Sequence, residues 1–424
     1  MTKIKFQTPS GMHDILPEEE KYYYKIEEIA RKIADFYGFG KIHTPIVEQV
    51  GLFEKSVGNS TDIVQKEMYT LKTKGNDWLA LRPEGTAPIA RSYIENGMYN
   101  LSQPVKLWYF GPFFRYERPQ AGRYRQFWQL GFEALGEKSS IVDAQIIQIC
   151  YNLLKELKIK NVIVELNSIG DKECRPSYKK ILASYLKKRQ SSLCSDCKKR
   201  RKDNVLRVLD CKEDKCQSVK ADAPQTLDYL CEECKKHFKE VLEYLDEIEL
   251  PYSLNSSLVR GLDYYTKTVF EIFAKDSLEK SIALAGGGRY DDLINLLGGR
   301  NVPACGAAFG IERVIELMRK QEIIDQEPEV QIFLAQIGEL AKKKSLNILE
   351  EFRKTKIKIA ESFGRDSLRN QLNKANKLKA KYVLIFGQKE ALDNQIVLRD
   401  METGKQALIK LDNLIKEIKK KLKK

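Results

Sequence analysis

Two neighbouring segments of strand-like sequence carry an unusual mixture of residues, and they limit what this part of the chain can form. Residues 260–271 read RGLDYYTKTVFE, and residues 285–293 read AGGGRYDDL. Arginine supplies a planar cation, tyrosine supplies an aromatic face with a hydroxyl group, and consecutive glycines leave the backbone open to a ligand. A tyrosine-bearing strand followed by a glycine turn is the alternative interpretation of either segment alone. Together the two segments predict a binding site built on strands.

The first of these segments also indicates how the domains are arranged, because strand-like sequence returns there after a stretch of different character. Residues 172–250 are charged, contain cysteines and are predicted to be helical, whereas strand-like sequence returns at 258–273. We therefore expect 172–250 to be an insertion within a larger domain. With 424 residues, of which 42% are hydrophobic, the chain is too long for one ordinary core, so two or three domains are expected.

Helix and strand signals are clear in the first part of the chain. Pro17, Gly38 and an apolar stripe that ends at Phe36 predict a helix over residues 18–37. The extended stretch around Pro45 is predicted to lie at a sheet edge or an interface, because proline is poorly tolerated in a central strand. The other predicted elements are strands at 78–82, 105–117, 125–133 and 281–287, a helix at 140–157, and a strand that becomes a helix within 305–318.

A polar joint near residues 326–329 precedes a segment that alternates strand and helix. Such alternation predicts a small α/β domain with a mainly parallel sheet. Of the net charge of +14, +11 lies on residues 328–424, which hold 23 Lys and Arg against 12 Asp and Glu. Because Lys and Arg neutralise phosphates, a basic terminal domain on a near-neutral body indicates a polyanionic partner; a lysine-rich soluble surface is the alternative.

The chain begins without the apolar core of a signal peptide, and it has no run of about 18 apolar residues. We therefore expect a soluble cytoplasmic protein without a membrane partner. The three histidines, at positions 13, 43 and 237, have no metal-ligand spacing, so imidazole is not expected to act as a catalytic base.

Six of the nine cysteines lie between Cys194 and Cys234. In a chain without a signal peptide, clustered cysteines favour metal binding over disulfides. The two C-x-x-C pairs, Cys194 with Cys197 and Cys231 with Cys234, predict one structural zinc site with four thiolates. Reduced structural cysteines are the alternative.

Arginines cluster between two strand-like runs at residues 114–133, FRYERPQAGRYRQFWQLGFE. A hairpin with guanidinium groups at its base and tip suits a triphosphate, and a solvated charged hairpin is the alternative. Arg115 ends an apolar run and is expected to face inward, where an unpaired charge is costly. Arg313 begins a helix after a glycine-rich turn, which is a usual place for binding anions. Glu84, in a Pro/Gly turn, is interpreted either as a site carboxylate or as a cap or surface charge.

The motifs TPIVEQ, LRPEGT, FRYERPQAGRYRQFWQLGFE and GAAFGIERV, in this order, resemble the core of class II aminoacyl-tRNA synthetases. The pair RGLDYY and AGGGRYD is similar to histidyl-tRNA synthetases in particular, and residues 361–390 are similar to the anticodon-binding domain of that family. The resemblance implies an α/β fold class. An α+β catalytic core with an antiparallel sheet would span 1–325, a mainly helical insertion would interrupt it at 172–250, and an α/β anticodon-binding domain would follow at 328–424.

The resemblance also implies residue roles, with Arg115 and Arg260 as the catalytic cations beside the α-phosphate. The residues that would bind histidine are Glu84, Gly85, Thr86, Arg115, Gln129, Glu133, Arg260, Tyr264 and Tyr265. Those that would bind ATP are Arg115, Glu117, Arg123, Phe127 and Arg313. Gln120, at the hairpin tip, would touch the acceptor end of the tRNA, and the basic insertion would grip the acceptor arm.

By this resemblance the chain is a histidine–tRNA ligase that uses ATP and Mg²⁺, with L-histidine and tRNA(His) as substrates. TPIVEQ matches the motif that forms the subunit interface in this class, so a homodimer is expected. One alternative is the regulatory paralogue of ATP phosphoribosyltransferase, which typically lacks the anticodon-binding domain and loses catalytic-motif residues. Another is a zinc nucleic-acid-binding protein with a vestigial core. Arg115, Arg260 and Arg313 argue against both.

Overall fold

A computed structural model describes residues 6–58, 61–118, 122–275, 281–323, 330–364 and 367–422. Contacts divide the chain into two compact units, Met1–Ile324 and Asp325–Lys424. The elements of the first unit are, in chain order, α1 (Pro17–Tyr37), β1 (Gly40–Lys41), β2 (Val47–Gln49), α2 (Val50–Val57), β3 (Thr70–Lys72), β4 (Trp78–Leu81), α3 (Thr86–Glu95), β5 (Val105–Phe114), β6 (Gln126–Leu135), α4 (Ser140–Glu156), β7 (Val162–Ser168), α5 (Arg175–Lys188), α6 (Ser195–Asp203), α7 (Asp214–Ala221), α8 (Glu232–Glu247), β8 (Tyr252–Leu254), β9 (Thr266–Lys275), β10 (Ser281–Arg289), α9 (Leu293–Leu296), β11 (Ala304–Gly310) and α10 (Ile311–Lys320).

A large sheet forms the centre of the first unit. In the described residues its strand order is β1-β5-β6-β11-β10-β9-β7-β8. The five inner pairings are antiparallel, and the two outer ones, β1 with β5 and β7 with β8, are parallel. The predicted antiparallel catalytic sheet is therefore confirmed. The prediction of a strand over 258–273 is only partly right, because 258–265 lies outside the ladder and the strand begins at Thr266.

The first helix begins and ends close to the predicted positions. Pro17 occupies its first turn, and Gly38 adopts a left-handed conformation with φ of 75° that ends it. Its apolar stripe packs against the sheet and helix α4 in the main core. Phe36, predicted to belong to this stripe, is 81% exposed. Its ring packs edge-on against Tyr37 in the last turn instead of entering the core.

The stretch around Pro45 lies at sheet edges, as predicted. Strand β1 ends the large sheet, and β2 ends a small antiparallel sheet of order β2-β4-β3. Four apolar side chains on or beside this small sheet are between 39% and 58% exposed, namely Ile46, Val47, Leu71 and Trp78.

Residues 172–250 contain helices α5 to α8 and short 3-10 turns, which confirms a mainly helical insertion. The chain leaves the large sheet after β7 and returns to it at β8. No helix among the described residues of the chain is long and apolar enough to cross a membrane.

The second unit is a mixed α/β domain. Its elements are β12 (Ile332–Gln336), α11 (Glu339–Lys354), β13 (Ile359–Glu361), α12 (Leu368–Lys377), β14 (Tyr382–Phe386), α13 (Gln388–Leu392), β15 (Gln395–Asp400), β16 (Gln406–Lys410) and α14 (Leu414–Leu422). Strand β12 pairs in parallel with β13 and β14, whereas β15 pairs antiparallel with β14 and β16. The predicted mainly parallel sheet is therefore wrong, because the last two strands form a hairpin.

A fully buried ion pair joins the end of β10 to α4. Arg289 Nε donates to Asp143 Oδ2 at 3.0 Å, and Asp143 also lies 3.3 Å from His237 Nε2 of α8. Burial alone would raise the pKa of Asp143, but the charge of Arg289 and the hydrogen bonds from His237 and Arg289 together outweigh it and lower that pKa. The remaining guanidinium hydrogens bond to the backbone oxygens of Glu137 and Ser139, to the carboxylate of Asp291 and again to Asp143. The arginine of AGGGRYD is therefore a structural residue.

Removing the charge of Asp143 leaves Arg289 buried without its main partner. We expect Asp143→Asn to lower the free energy of unfolding by about 3–5 kcal/mol. The measurement is urea unfolding followed by tryptophan fluorescence, because the three tryptophans, at positions 78, 108 and 128, all lie in the first unit. Glu28→Gln, which breaks an exposed pair with Lys32, is the control and should change stability by less than about 0.5 kcal/mol. Equal effects of the two substitutions would contradict the structural role.

Candidate active site

One cavity at the ends of strands β5, β6, β10 and β11 collects most of the predicted site residues. Its lining includes Glu84, Gly85, Thr86, Arg115, Glu117, Arg123, Phe127, Gln129, Arg260, Tyr264, Tyr265 and Arg313. Glu133 is buried next to Thr86 and is not part of the lining. Gln120 lies outside the described residues.

The end of strand β5 carries a group of charged and aromatic side chains. Arg115 Nε donates to the backbone oxygen of Pro83 at 2.8 Å, and its guanidinium lies 5.3 Å from the centroid of the Phe127 ring. Glu117 lies 3.9 Å from Arg115 and 3.5 Å from Arg123. This end of the cavity therefore combines a flat aromatic face with two cations, a combination that suits a nucleotide.

Arg313 brings a third cation to the same end. It lies in the first turn of α10, and its Nη1 donates to the backbone oxygen of Ala283 at 3.1 Å. Burial lowers the pKa of Arg313, and the charges of Arg123 and Arg115 lower it further. Guanidinium groups nevertheless remain charged in proteins. The crowding of like charges therefore makes this end of the cavity favourable for a polyanion.

Arg260 enters the cavity from the segment before β9. It forms an ion pair with Glu271 of β9, and its guanidinium lies 5.8 Å from the centroid of the Tyr265 ring. It rests against the backbone at Gly286, where a Cβ would collide with the guanidinium group.

The run Gly286-Gly287-Gly288 does not act as predicted. The space above Gly286 is taken by Arg260, and that above Gly287 is taken by the backbone of β11. Gly288 has φ of 152° and faces the backbone of β9. Of the three, Gly286 alone lines the cavity among the described residues. The glycines therefore make room for protein groups, and the prediction that they open the backbone to a ligand is wrong for Gly287 and Gly288.

Glu84 is both a helix cap and a cavity residue. Its carboxylate accepts the backbone N–H groups of Thr86 and Ala87, each at 2.8 Å, at the beginning of α3, and the Tyr264 hydroxyl donates to it at 3.3 Å. Burial raises the pKa of Glu84, although the two backbone donors oppose that shift. The two interpretations of this residue from sequence are therefore compatible.

Glu133 lies behind the cavity wall. Thr86 Oγ1 donates to it at 2.7 Å, and the Tyr290 hydroxyl donates to its other oxygen. Burial raises the pKa of Glu133 to about 8, and the nearby charge of Glu84 acts in the same direction. Both carboxylate oxygens of Glu133 thus already accept a hydrogen bond, one from Thr86 and one from Tyr290. Contact with a ligand therefore requires Thr86 to change its hydrogen bond.

An aromatic group closes this second end of the cavity. The Tyr264 ring centroid lies 4.7 Å from that of Tyr265 and 5.7 Å from that of Tyr290. Burial raises the pKa of Tyr265 to about 12. These hydroxyl groups therefore stay protonated and act as hydrogen-bond donors at neutral pH.

Three polar atoms of the cavity have no hydrogen-bond partner in the part of the chain that the structure describes. They are Gln129 Oε1, the Tyr109 hydroxyl and Arg260 Nε. Buried polar groups are almost always paired in native proteins, so unpaired ones that face a cavity indicate a ligand with complementary polar groups.

Four contributing residues were not predicted from the sequence: Tyr109, Glu271, Tyr290 and Glu312. Glu271 and Tyr290 belong to the two segments noted first, so their motifs were a usable signal. Glu312 accepts the backbone N–H of Trp128 at 2.7 Å, and burial raises its pKa to about 7. Glu312 belongs to the motif GAAFGIERV, which was likewise a usable signal, whereas Tyr109, within an apolar strand, carried none.

The prediction that the two C-x-x-C pairs share one four-thiolate site is wrong. Cys194 and Cys197 meet Cys211 and Cys216, whereas Cys231 and Cys234 meet Cys174 and Asp171. The two C-x-x-C pairs therefore belong to separate clusters, because one begins α6 inside the insertion and the other begins α8, which returns to the large sheet.

The raised pKa of Glu133 predicts a pH-dependent stability. The unfolded chain loses this proton near the ordinary pKa of 4.5 and the folded chain near 8, so the contribution is complete below about pH 4.5 and is lost as the pH rises to about 8. We expect Glu133→Gln to reduce the loss of stability between pH 5 and 8 by more than about 1.4 kcal/mol, the equivalent of one pKa unit. Urea unfolding at several pH values measures it, with exposed Glu243→Gln as control. Parallel pH profiles for wild type and Glu133→Gln would contradict the assignment.

Comparisons with known proteins agree with this geometry. Residues 11–314 match the family model of histidyl-tRNA synthetase, and residues 331–421 match that of the anticodon binding domain. Histidine–tRNA ligases from Dehalococcoides mccartyi and Thermosipho melanesiensis are each 46% identical, over 418 and 406 residues. The first match covers 98% of this chain and all of the relative, and the second covers 96% of each.

Solved structures give the same result. The apo histidyl-tRNA synthetase of S. aureus has a TM-score of 0.81 and 34% identity, and the match covers 97% of this chain and 99% of that one. A structure described as an ATP phosphoribosyltransferase regulatory subunit/histidyl-tRNA synthetase from Bacillus halodurans C has a TM-score of 0.64 at 20% identity, which shows the fold alone. The regulatory alternative is thus less supported. From these matches over nearly its whole length, the chain belongs to the histidyl-tRNA synthetase family.

Proposed function

We propose that the cavity is the site at which L-histidine reacts with ATP to form histidyl-adenylate, before the histidine is transferred to the 3′ end of tRNA(His). The observation that carries this proposal is the convergence of Arg115, Arg123, Arg260 and Arg313 on one cavity that also holds buried carboxyl and tyrosine groups. Since the reaction consumes ATP and tRNA, we place it in the cytoplasm. Histidine-dependent ATP–pyrophosphate exchange, compared with the other amino acids and followed by tRNA charging, tests the proposal.

The cationic end of the cavity would bind ATP. We assign the adenine to Phe127, by stacking, and to Glu117. Arg123 and Arg313 would hold the terminal phosphates, because their mutual repulsion is relieved by negative charge. Arg115 would contact the α-phosphate and the histidine carboxylate from its position at the end of β5.

Activation is an in-line attack of the histidine carboxylate on the α-phosphorus, with pyrophosphate as the leaving group. Negative charge grows on the phosphate oxygens in the transition state, so positioned cations are the main catalytic aid and no general base is needed. We assign this role to Arg260 together with Arg115. Glu271 would orient Arg260 through their ion pair.

Class II aminoacyl-tRNA synthetases generally use ATP with Mg²⁺. Magnesium is usually held by one or two carboxylates and by the phosphates of the substrate. Glu117 and Glu271 line the cavity beside the cations, so the donor set fits such an ion. When bound, it would neutralise charge on the phosphates.

The opposite end would bind histidine. Glu84, Thr86 and Gln129 would hold its amino group, with Gly85 in the same turn, and Gln129 Oε1 is an unpaired acceptor. Tyr264 and Glu133 would bond the imidazole, while Tyr265 shapes the pocket. A site that pairs both ring nitrogens leaves its own groups unpaired with a wrong side chain, and this can reject it by about 10⁴-fold or more.

The second unit would bind the anticodon of tRNA(His), consistent with its match to that domain and its charge of +11 over residues 328–424. We assign the acceptor arm to the basic insertion and keep Gln120 as a candidate for its 3′ end. These contacts are proposals from charge and from the family resemblance.

We also propose a homodimer that pairs through the small sheet β2-β4-β3. The exposed side chains of Val47, Leu71 and Trp78 form apolar surface there, and large apolar patches mark interaction sites.

Arg260→Ala should lower histidine-dependent pyrophosphate exchange by about two to three orders of magnitude, the loss that follows removal of comparable electrostatic donors. Histidine binding, measured by calorimetry, should stay within a few-fold. Arg353→Ala, which removes an arginine from an exposed pair with Glu350, is the matched control and should leave exchange unchanged. A near wild-type rate in Arg260→Ala would contradict the assigned role.

Val47→Asp should shift the protein from dimer to monomer in sedimentation experiments. The dissociation constant of the dimer should rise by about 100-fold or more, because an unpaired carboxylate is costly to bury. Leu392→Asp, at an exposed leucine of the second unit, is the control and should not change the dimer. An unchanged dimer in Val47→Asp would place the interface elsewhere.

A further inference from the structure

The cysteines outside the main core sort into two compact clusters. Cys150 and Cys305 are fully buried in the core of the large sheet, and each is a packing residue. The other seven lie in or beside the insertion. The inner cluster is Cys194, Cys197, Cys211 and Cys216, and the base cluster is Asp171, Cys174, Cys231 and Cys234. All nine thiols are free in this structure.

The inner cluster has the dimensions of a tetrahedral thiolate site. Its four sulfur atoms lie within 4.8 Å of one another, and Cys194 Sγ is 3.9 Å from Cys211 Sγ. A zinc ion bound by four sulfurs at about 2.3 Å places them about 3.8 Å apart. Two backbone N–H groups also point at the sulfurs: that of Cys197 donates to Cys194 Sγ at 3.4 Å, and that of Cys194 donates to Cys216 Sγ at 3.3 Å. Such outer donors are typical of metal-bound ligands.

The packing of this part of the insertion favours a metal. Helix α6 reads SDCKKRRKD and has Cys197 as its buried side chain, while α7 buries Cys216 and Val219. These two helices contribute little apolar surface of their own, and Cys197, Cys211 and Cys216 belong to the apolar cluster that they join. Small units with so little apolar surface commonly gain stability from a metal.

The base cluster closes the insertion where it leaves the large sheet. Asp171 and Cys174 follow β7, whereas Cys231 and Cys234 begin α8. Cys174 Sγ lies 3.9 Å from Cys234 Sγ and 3.6 Å from Asp171 Oδ1, and the four donor atoms are within 4.8 Å of one another. Three thiolates and one carboxylate form a donor set that zinc accepts.

We propose that the insertion binds two zinc ions, one in the inner cluster and one in the base cluster. The inner ion holds α6 and α7 together. The base ion joins the two ends of the insertion, because it cross-links residue 171, just before the insertion, to residue 234, at the start of its last helix.

Metal analysis of protein purified without chelators tests this directly, and about two zinc ions per chain are expected. Cys211→Ser should remove one ion and leave the other, and Cys234→Ser should do the same at the base cluster. Cys150→Ala, at a core cysteine outside both clusters, should keep both. A single site shared by the two C-x-x-C pairs instead predicts one ion, lost in Cys234→Ser and retained in Cys211→Ser.

A second measurement avoids dependence on variants that fold poorly. Wild-type protein in which cobalt replaces the metal should show thiolate-to-cobalt absorption as two successive equivalents are added. Zinc contents near zero, iron in place of zinc, or disulfides between these cysteines in mass spectra would overturn the proposal. One ion that Cys234→Ser leaves in place would overturn the base site.

Discussion

The candidate active site depends on the absence of side chains at two positions of the central sheet. A Cβ at Gly286 of β10 would overlap the guanidinium of Arg260, and one at Gly306 of β11 would overlap the carboxylate of Glu133. Both side-chain groups therefore lie flat against the backbone. Because a packed interior cannot absorb an added methyl group without strain, the sheet itself fixes the height at which these groups lie. Glu271 and Tyr290 then fix them laterally.

The cavity is electrically divided, and this division matches the two reactants that we propose for it. At one end, burial and the charges of Arg123 and Arg115 lower the pKa of Arg313, although Glu117 and Glu271 oppose that shift. At the other end, burial raises the pKa of Glu84 and of Glu133, so the carboxyl groups there hold their protons more strongly than in water. Groups that are fixed before the substrate arrives need little reorganisation during the reaction, which is the basis of electrostatic catalysis. The folding free energy maintains this arrangement, with Arg289 and Asp143 as one source of it.

Local patterns in the sequence predicted most of the elements, since helix α1 carries its own stop signals and the strands alternate or run apolar. Which residues meet in the folded chain was harder to predict from the sequence. The spacing of a C-x-x-C motif shows that two cysteines share a helix start, but which pairs meet depends on where α8 returns to the sheet. Likewise, the motif around Glu133 indicated that this residue is important. The hydrogen bonds that Thr86 and Tyr290 donate to it, however, depend on how three separate elements pack. The hairpin β15–β16 did have a local signal, a turn with Gly404 at φ of 70°.

The insertion is part of the scaffold that positions Arg260. Residues 258–265 carry Arg260 but lie outside the strand ladder, so the sheet does not fix their conformation. Arg175 of the insertion donates to the backbone oxygen of Tyr265 at 2.8 Å, and Asn204 donates to the side chain of Asp263 at 2.7 Å. Cys197, Cys211 and Cys216 also share one apolar cluster with the residues that flank Arg260. A change in the cysteine clusters therefore has a short physical path to Arg260, through packed side chains rather than through the sheet.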